Sequence, residues 1–334
     1  MSFSGVSAPE LGGARQPARA TFAVARRRRV VDRAWWALCT LGLLLVVAPV
    51  VWVVTGVVQR AVSGWRWSVL TTISTGVGGG LANAIAGTFV LLVGVGVLAG
   101  LVGLGCGVYL AEIARPSWRT TVLRGASEVL SGVPSIVLGY VGYEALVVGL
   151  HWGFSLLAGL IVLSVLVVPY VAKSTEIALG QVPLGYREGG EALGMTRSHV
   201  LRRVVLRSAV PGIATGVIIA LAISVGETAP LLYTAGWTNS YPTAHLLHAP
   251  VGYLTYATYT FYDDPYPAVR ALSYDAALLL VLLVVGLIAS SRLVVRLSQR
   301  YAPERAHGPA RRAPRSLPAG TAAAGAASEG APAL

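Results

Sequence analysis

Apolar runs that are long enough to cross a bilayer recur along this chain, and they restrict its fold more than any other feature. A transmembrane helix needs roughly 20 mostly apolar residues. The chain is 55% hydrophobic and only 12% charged, with a mean hydropathy of +0.68, which is too apolar for a soluble domain. The pattern predicts an all-α, polytopic membrane protein with six transmembrane helices, at residues 34–58, 84–111, 121–150, 154–177, 209–234 and 271–291.

Basic residues are unevenly divided between the two sides that these spans define. All Lys and Arg residues except Arg60, Arg66 and Arg270 fall on the side of the N-terminus. Cytoplasmic segments carry such an excess, so both termini are predicted to be cytoplasmic. The net charge of +12 therefore indicates membrane topology and contact with anionic lipids, and no nucleic-acid partner is predicted.

The two ends of the chain differ in composition from the apolar region. Residues 1–33 are predicted to be a disordered basic cytoplasmic tail. Residues 301–334 are mostly Ala, Pro, Gly and Arg, and they are predicted to be a low-complexity cytoplasmic tail, since they bury too little apolar surface to fold. The transmembrane domain is predicted at residues 34–300.

A polar, basic segment at residues 183–207 separates the fourth span from the fifth. A membrane protein seldom carries such a cytoplasmic insert unless another subunit docks on it. The segment therefore indicates a transport protein that is driven by a separate motor subunit. Its candidate docking residues are Glu188, Gly189, Gly190, Glu191 and Gly194.

Polar side chains inside the spans are candidates for a translocation pathway or a gate. Three serines four residues apart lie on one helical face, and a proline beside them favours a kink. Serines in such positions more often bond to their own helix. The candidates are Ser127, Ser131, Pro134, Ser135, Lys173, Glu176, Glu227 and Thr228.

The charged candidates each allow two interpretations. Lys173 and Glu176 share a helical face, and charges at membrane depth usually face a partner or a pathway. A lysine at the cytoplasmic boundary can equally extend toward the headgroups. Glu227 is expected either to hold a cation, such as Lys173 or one from a partner subunit, or to be a protonated or hydrogen-bonded carboxylate at a helix end.

Residues for covalent or metal chemistry do not form recognisable sets. The sequence has no Ser-His-Asp or Cys-His arrangement, and the pair His245 and His248 lacks a third ligand. No GxxxxGK[ST] loop is present, so ATP energy must come from another subunit. The chain is predicted to be neither an enzyme nor a holder of a metal or cofactor.

Four motifs occur in order between Gly78 and Arg296: Gly78–Ala84, Tyr109–Glu112, Pro134–Val137 and Gly226–Leu232. They resemble the A-type transmembrane permeases of bacterial phosphate ABC importers, within the type I (MetI-like) ABC importer permease family. The polar segment resembles the EAA loop of these permeases, with Glu188, Gly194, Val204 and Leu206 at the motif positions. Gly189-Gly190 replaces Ala-Ala, which costs a helix roughly 0.5–1 kcal/mol for each glycine.

The resemblance implies a six-helix permease in the bacterial plasma (inner) membrane. It implies a second homologous permease, two ATPase subunits that use ATP and Mg, an extracytoplasmic phosphate-binding protein, and phosphate as substrate. The EAA loop would form the coupling helix that docks on the ATPase. Of two basic membrane positions in such permeases, one falls at Lys173 and the other at the uncharged Ile223.

Three alternatives remain open at this point. The first is an importer of another oxyanion, such as sulfate or molybdate. The second is an ion-coupled secondary transporter, which would be expected to contain an inverted repeat that is not visible here. The third is a membrane enzyme, which the missing nucleophile sets disfavour.

Overall fold

The structure is a computed structural model that describes residues 18–301, with side chains at residues 28–29 and 31–298. This part of the chain is helical, with one isolated bridge between Ser74 and Gly79. The predicted all-α class is confirmed. The helices are α1 (Ala18–Gly64), α2 (Ser68–Thr71), α3 (Ala82–Val108), α4 (Trp118–Gly132), α5 (Ser135–Gly142), α6 (Leu156–Gly180), α7 (Leu184–Ala192), α8 (Arg197–Val200), α9 (Leu206–Gly226), α10 (Ala229–Thr234), α11 (Leu254–Thr260) and α12 (Pro267–Tyr301).

Five helical stretches among the described residues are long and apolar enough to cross a membrane. Short π-helical turns extend α3 to Ile113 and α5 to Gly149, and a third joins α8 to α9. A sixth crossing exists if α4 and α5 together form one bent span. The five stretches are Val31–Gly64, Ala82–Ile113, Leu156–Gly180, Arg197–Gly226 and Pro267–Ser298.

The third predicted span, at residues 121–150, is broken rather than continuous. Helix α4 ends at Gly132, and the axis turns by 99° before α5 continues. Proline has no backbone N–H and disfavours helical geometry in the residue before it. Val133 accordingly has extended backbone angles (φ −70°, ψ 129°), and Pro134 precedes the first turn of α5.

Helix α1 begins at Ala18, so the predicted disordered tail at residues 1–33 is too long. Residues 18–33 are rich in Ala and Arg, which favour helix even outside a membrane. Hydropathy locates the membrane segment, which starts near Val31, and not the start of the helix. The remaining predictions for the two tails, at residues 1–17 and 302–334, lie outside the described residues.

The predicted insert at residues 183–207 is largely helical. It contains the short helix α7, a turn, and then a helix that starts at Arg197 and continues without interruption into the fifth span. That span ends at Gly226, and α10 follows as a separate short helix. The fifth span therefore lies earlier in the chain than the predicted 209–234.

Helices α3 and α6 approach closely at the centre of the bundle. A Cβ atom added to Gly103 would lie 2.6 Å from Cβ of Val171, and one added to Gly107 would lie 2.5 Å from Cβ of Thr175. Small residues permit such contacts between transmembrane helices, where packing rather than water exclusion holds helices together. Val171 also belongs to the largest buried apolar cluster, with residues from α3, α6, α9 and α10.

The segment between α10 and α12 folds over one end of the bundle. The Trp237 ring stacks on Tyr256 with their centroids 4.7 Å apart, and the Asn83 side chain donates to the carbonyl of Thr238. Tyr253 is buried beneath them, and its burial raises the pKa of its phenol. This end lies opposite α7 and is therefore the outer end if α7 is cytoplasmic.

Helix α1 packs chiefly against α12, and Ala61 is its one buried side chain among residues 31–64. The most apolar window of α1 has no residue buried by the rest of the described chain. The bundle that positions the candidate site therefore consists of α3 through α12.

Candidate functional site

Helix α7 extends from the end of the bundle where α6 finishes. All five predicted docking residues lie on α7 or on the turn after it. Gly194 adopts a left-handed conformation (φ +75°), which glycine tolerates best. Its N–H bonds to the carbonyl of Glu191 at 2.9 Å, and the N–H of Met195 bonds to the carbonyl of Gly190 at 3.1 Å. These bonds form a Schellman motif, which ends the helix sharply.

A single arginine fastens α7 to the bundle. Arg187 forms an ion pair with Glu112, in the π-helical turn that ends α3. The same guanidinium donates to the carbonyl of Val182 at 2.8 Å and to that of Leu179 at 3.1 Å, at the carboxyl end of α6. Arginine can fill these roles together because its five N–H groups form a rigid planar fork. Arg187 therefore joins α7 to both α3 and α6.

The two adjacent glycines of α7 have different surroundings. Gly190 is buried, and a Cβ atom at this position would lie 2.7 Å from Cγ2 of Val200. Gly189 is exposed, and a Cβ there would meet nothing within 4 Å. Glycine at position 190, where the motif has alanine, thus allows α7 to pack closely on α8. At position 189 the packing does not require a glycine.

The side of α7 that faces away from the bundle combines a carboxylate with apolar side chains. Glu188 is exposed, and the exposed fractions of Leu184 and Leu193 are 69% and 77%. Glu191 lies 3.5 Å from Arg197 across the turn, but both side chains are largely exposed, so this pair contributes little stability. An exposed patch with this mixture is typical of an interaction surface. At the motif positions further along, Val204 and Leu206 are partly buried and pack against a buried apolar cluster that includes Leu179, Val182 and Val200.

A cavity of about 270 Å³ lies between α4 and α6, near the end of the bundle that carries α7. Four of the predicted pathway residues line it: Ser127, Ser131, Lys173 and Glu176. Arg124 also lines the cavity, although it is not among the pathway residues predicted from the sequence. Its interruption of an apolar run was the signal that could have identified it.

The charged groups of this cavity form one network centred on Glu176. Arg124 Nη2 lies 2.8 Å from Oε1 of Glu176, and Nε donates to the same oxygen at 3.0 Å. Lys173 Nζ lies 3.9 Å from the other oxygen, Oε2. Arg124 Nη2 also donates to the carbonyl of Leu110 at 3.2 Å. Glu176 thus stands between two cations, one from α4 and one from its own helix.

The predicted serine stripe is not preserved in the structure. Ser135 does not line the cavity because the break before α5 removes it from the face that carries Ser127 and Ser131. Periodicity applies only within one continuous helix. The hydroxyl of Ser131 donates to the carbonyl of Glu128 at 2.8 Å, which is the bond back to its own helix that such serines commonly form.

Glu227 and Thr228 lie at the break between α9 and α10, away from this cavity. Of the alternatives for Glu227, the pairing with Lys173 does not occur, because Lys173 lies beside Glu176 instead. Within residues 31–298, no cation is at ion-pairing distance from Glu227. The hydroxyl of Thr255 donates to the backbone carbonyl of Glu227 at 3.3 Å. This bond occupies an acceptor that the helix break leaves without a helical partner.

The two broken helices pack directly against each other. A Cβ atom at Gly139 of α5 would lie 2.7 Å from Cα of Pro230 in α10. Pro134 and Ser135 begin the first of these helices, and Thr228 precedes the second. Broken helices in transporters are found where backbone lines a pathway or moves during transport.

The sequence of this chain is similar to those of known transport proteins. Residues 103–302 match the profile of a family described as "Binding-protein-dependent transport system inner membrane component". A Mycobacterium tuberculosis protein named "Phosphate transport system permease protein PstA 2" is 56% identical over 277 residues, which cover 83% of this chain and 92% of the relative. The Yersinia pestis "Phosphate transport system permease protein PstA" is 34% identical over 247 residues, which cover 73% and 83%.

Solved structures resemble the chain in fold. A structure of the MetNI methionine ABC transporter in an inward-facing conformation superimposes with a TM-score of 0.54. The sequence identity is 22%, and the match covers 65% of this chain and 95% of the other. At that identity the likeness establishes the fold alone, which is that of an ABC importer permease.

Proposed function

Because this chain belongs to the family of binding-protein-dependent transport system inner membrane components, we propose that it is the permease subunit of an ATP-driven importer of inorganic phosphate. The chain is an integral membrane protein, and it is a transport subunit rather than an enzyme. The assignment of phosphate as its substrate rests on the relatives from M. tuberculosis and Y. pestis, both of which are named as phosphate transport permeases. The chain supplies half of the translocation pathway, and a second homologous permease supplies the other half.

The observation that carries this proposal is the exposed, firmly anchored helix α7. Its outward face, with Glu188 at its centre, docks on an ATPase subunit. Arg187 then transmits the movement of α7 to α3 and α6 through its bonds to Glu112 and to the carboxyl end of α6. ATP and Mg are used by the ATPase subunits, of which two serve the two permeases, and this chain itself binds no cofactor.

The orientation follows from the charge distribution. The segments next to α7 and both ends of the chain hold most of the Arg residues, so α7 and both termini are cytoplasmic in the plasma membrane of the bacterium. The folded segment between α10 and α12 then faces outward. An extracytoplasmic phosphate-binding protein docks on that side and delivers the anion.

The pathway residues fall into two groups in this proposal. The first group lies at the breaks of the two packed helix pairs and consists of Pro134, Ser135, Glu227 and Thr228. Movement of α5 relative to α10 opens or closes the outer part of the pathway. Ser127, Ser131, Lys173 and Glu176 line the cavity toward the cytoplasm. The anion passes from the first group to the second.

Co-purification tests the role of α7. Glu188→Arg reverses a charge at the centre of the proposed docking face, and the ATPase is expected to be lost from the purified complex. Asp263→Arg is the matched control, since Asp263 is an exposed carboxylate at the opposite end of the molecule. Full retention of the ATPase and of ATP-driven uptake by Glu188→Arg would refute the docking assignment.

Uptake by the reconstituted complex tests the substrate. Phosphate uptake should resist excess sulfate or molybdate and should require ATP inside the compartment that holds the ATPase. If the complex takes up sulfate or molybdate in preference to phosphate, that anion is the substrate instead. Accumulation of phosphate by this chain in liposomes without an ATPase would identify a secondary transporter instead.

A further inference from the structure

We infer that Arg124 and Lys173 together form a low-affinity site for a tetrahedral oxyanion, and that Glu176 occupies this site when the anion is absent. The inference rests on the proposed import of phosphate and deepens it by naming residues that contact the anion. It adds Arg124, on α4, to the cytoplasmic group of pathway residues, which otherwise holds Ser127, Ser131, Lys173 and Glu176.

Both cations have donors that face the cavity without an acceptor. The Nη1 group of Arg124 has no hydrogen-bond acceptor among residues 31–298, and Lys173 Nζ is too far from Glu176 for a hydrogen bond. The side chains of Arg124 and Lys173 are 47% and 57% exposed, whereas that of Glu176 is 18% exposed. The cations therefore line the open side, and the carboxylate lies behind them.

The spacing of the two cations suits an oxyanion. One oxygen of Glu176 contacts Arg124 and the other faces Lys173. Two oxygens of a phosphate group can bridge the same pair of cations, and arginine binds such oxygens in its planar fork. The cavity of about 270 Å³ is large enough, since a water molecule occupies about 30 Å³.

The charges around the cavity nearly balance, which keeps the affinity low. Glu128, one turn after Arg124 on α4, adds a second carboxylate to the lining. The cations Arg124 and Lys173 thus face the carboxylates Glu128 and Glu176. A site within a transport pathway must bind its ion well enough to admit it and weakly enough to release it. A carboxylate that competes with phosphate for the two cations meets this requirement.

Arg124 could instead act only as a strut, since it joins α4 to α6 and to the carbonyl of Leu110. The two roles predict different outcomes for two substitutions. If Arg124 is a strut, Arg124→Gln and Glu176→Gln remove the same contact and have the same effect. If Arg124 binds the anion, Arg124→Gln weakens binding, whereas Glu176→Gln removes the competitor and strengthens it.

The experiment measures protection of a cysteine in the cavity. The complex with its partner subunits is purified in lipid nanodiscs, with Ser127→Cys as reporter and with Cys39→Ser and Cys106→Ser. An anionic methanethiosulfonate labels the reporter, and mass spectrometry of its peptide gives the labelling rate at increasing concentrations of phosphate. Sodium chloride at matched ionic strength is the control.

In the variant Arg124→Gln, the phosphate concentration that gives half-protection should rise about ten- to a hundredfold, as expected for loss of hydrogen bonds to a charged group. In Glu176→Gln it should fall about two- to fivefold, the range of a partly exposed ion pair. An unchanged value in Arg124→Gln, or a rise in both variants, would overturn the inference. If Arg124→Gln does not assemble, Arg124→Lys replaces it, and an unchanged value there likewise overturns the inference.

The controls separate this inference from the proposed function. If sulfate protects the wild type and phosphate does not, phosphate is refuted as the substrate. The shift caused by Arg124→Gln, measured with sulfate, then supports or overturns the role of Arg124 by itself. If no oxyanion protects the wild type, the site does not exist, whatever the complex transports.

Discussion

The two neighbouring glycines of α7 offer a sharp test of how this helix packs. We expect Gly189→Ala to stabilise α7 and Gly190→Ala to destabilise it, although both replace a glycine of the same helix with the same residue. The reason is the neighbour at each position. A Cβ at residue 190 would lie 2.7 Å from Cγ2 and 3.2 Å from Cγ1 of Val200, whereas a Cβ at residue 189 meets nothing within 4 Å.

The magnitudes follow from two effects. Alanine stabilises a helix by roughly 0.5–1 kcal/mol relative to glycine, and this gain applies at both positions. An added methyl group in a packed contact costs typically about 1–3 kcal/mol, and this cost applies only at residue 190. The gain cancels when the two variants are compared, so their opening free energies should differ by about 1–3 kcal/mol, or roughly five- to 150-fold in equilibrium constant.

Hydrogen exchange of the amides of Gly194 and Met195 measures this difference. These amides bond to the carbonyls of Glu191 and Gly190, so they exchange only when the end of α7 opens. Exchange should slow about two- to fivefold in Gly189→Ala, in proportion to the gain in helix stability. It should be faster in Gly190→Ala, and adding Val200→Ala to that variant should remove part of the effect.

Equal protection in the two alanine variants would refute the close contact between α7 and α8. A loss of protection in Gly189→Ala would show that its exposed position in the structure is wrong. Either result would also undermine the view that α7 is held rigidly enough to transmit movement.

Two further predictions concern how the helices are joined. Arg187→Gln should lower the free energy of unfolding by about 1–3 kcal/mol, because it leaves the partly buried Glu112 without its charged partner. A double-mutant cycle with Glu112→Gln, measured by chemical denaturation, should show that the two effects are coupled. Additive effects of the two substitutions would contradict the pairing. Gly107→Ala should lower the thermal stability, because its Cβ would lie 2.5 Å from Cβ of Thr175, whereas Gly105→Ala, with no atom within 4 Å, should not. Equal melting temperatures for these two variants would show that α3 and α6 are not in close contact.

The apolar spans could be predicted from sequence because hydropathy over about 20 residues is a local property. The break at Pro134 could be anticipated, but its 99° angle depends on the packing of α5 against α10, which no local pattern reports. The same limit explains why the predicted stripe of Ser127, Ser131 and Ser135 is absent, since that prediction assumed one straight helix.

The network at the cavity illustrates a second limit. Lys173 and Glu176 are three residues apart, so their proximity follows from helix geometry. Arg124 is separated from Glu176 by 52 residues, and Arg187 from Glu112 by 75, so neither pairing has a local signature. The sequence does show that each of these charges interrupts or borders an apolar run, which marks it as a residue in need of a partner.

The contact between α1 and α12 has a consequence for biosynthesis. These are the first and the last helices described, and α1 packs chiefly on α12. A chain that is inserted into the membrane as it is synthesised can form this contact only after α12 has emerged from the ribosome. Until then, the face of α1 that meets α12 lies in lipid.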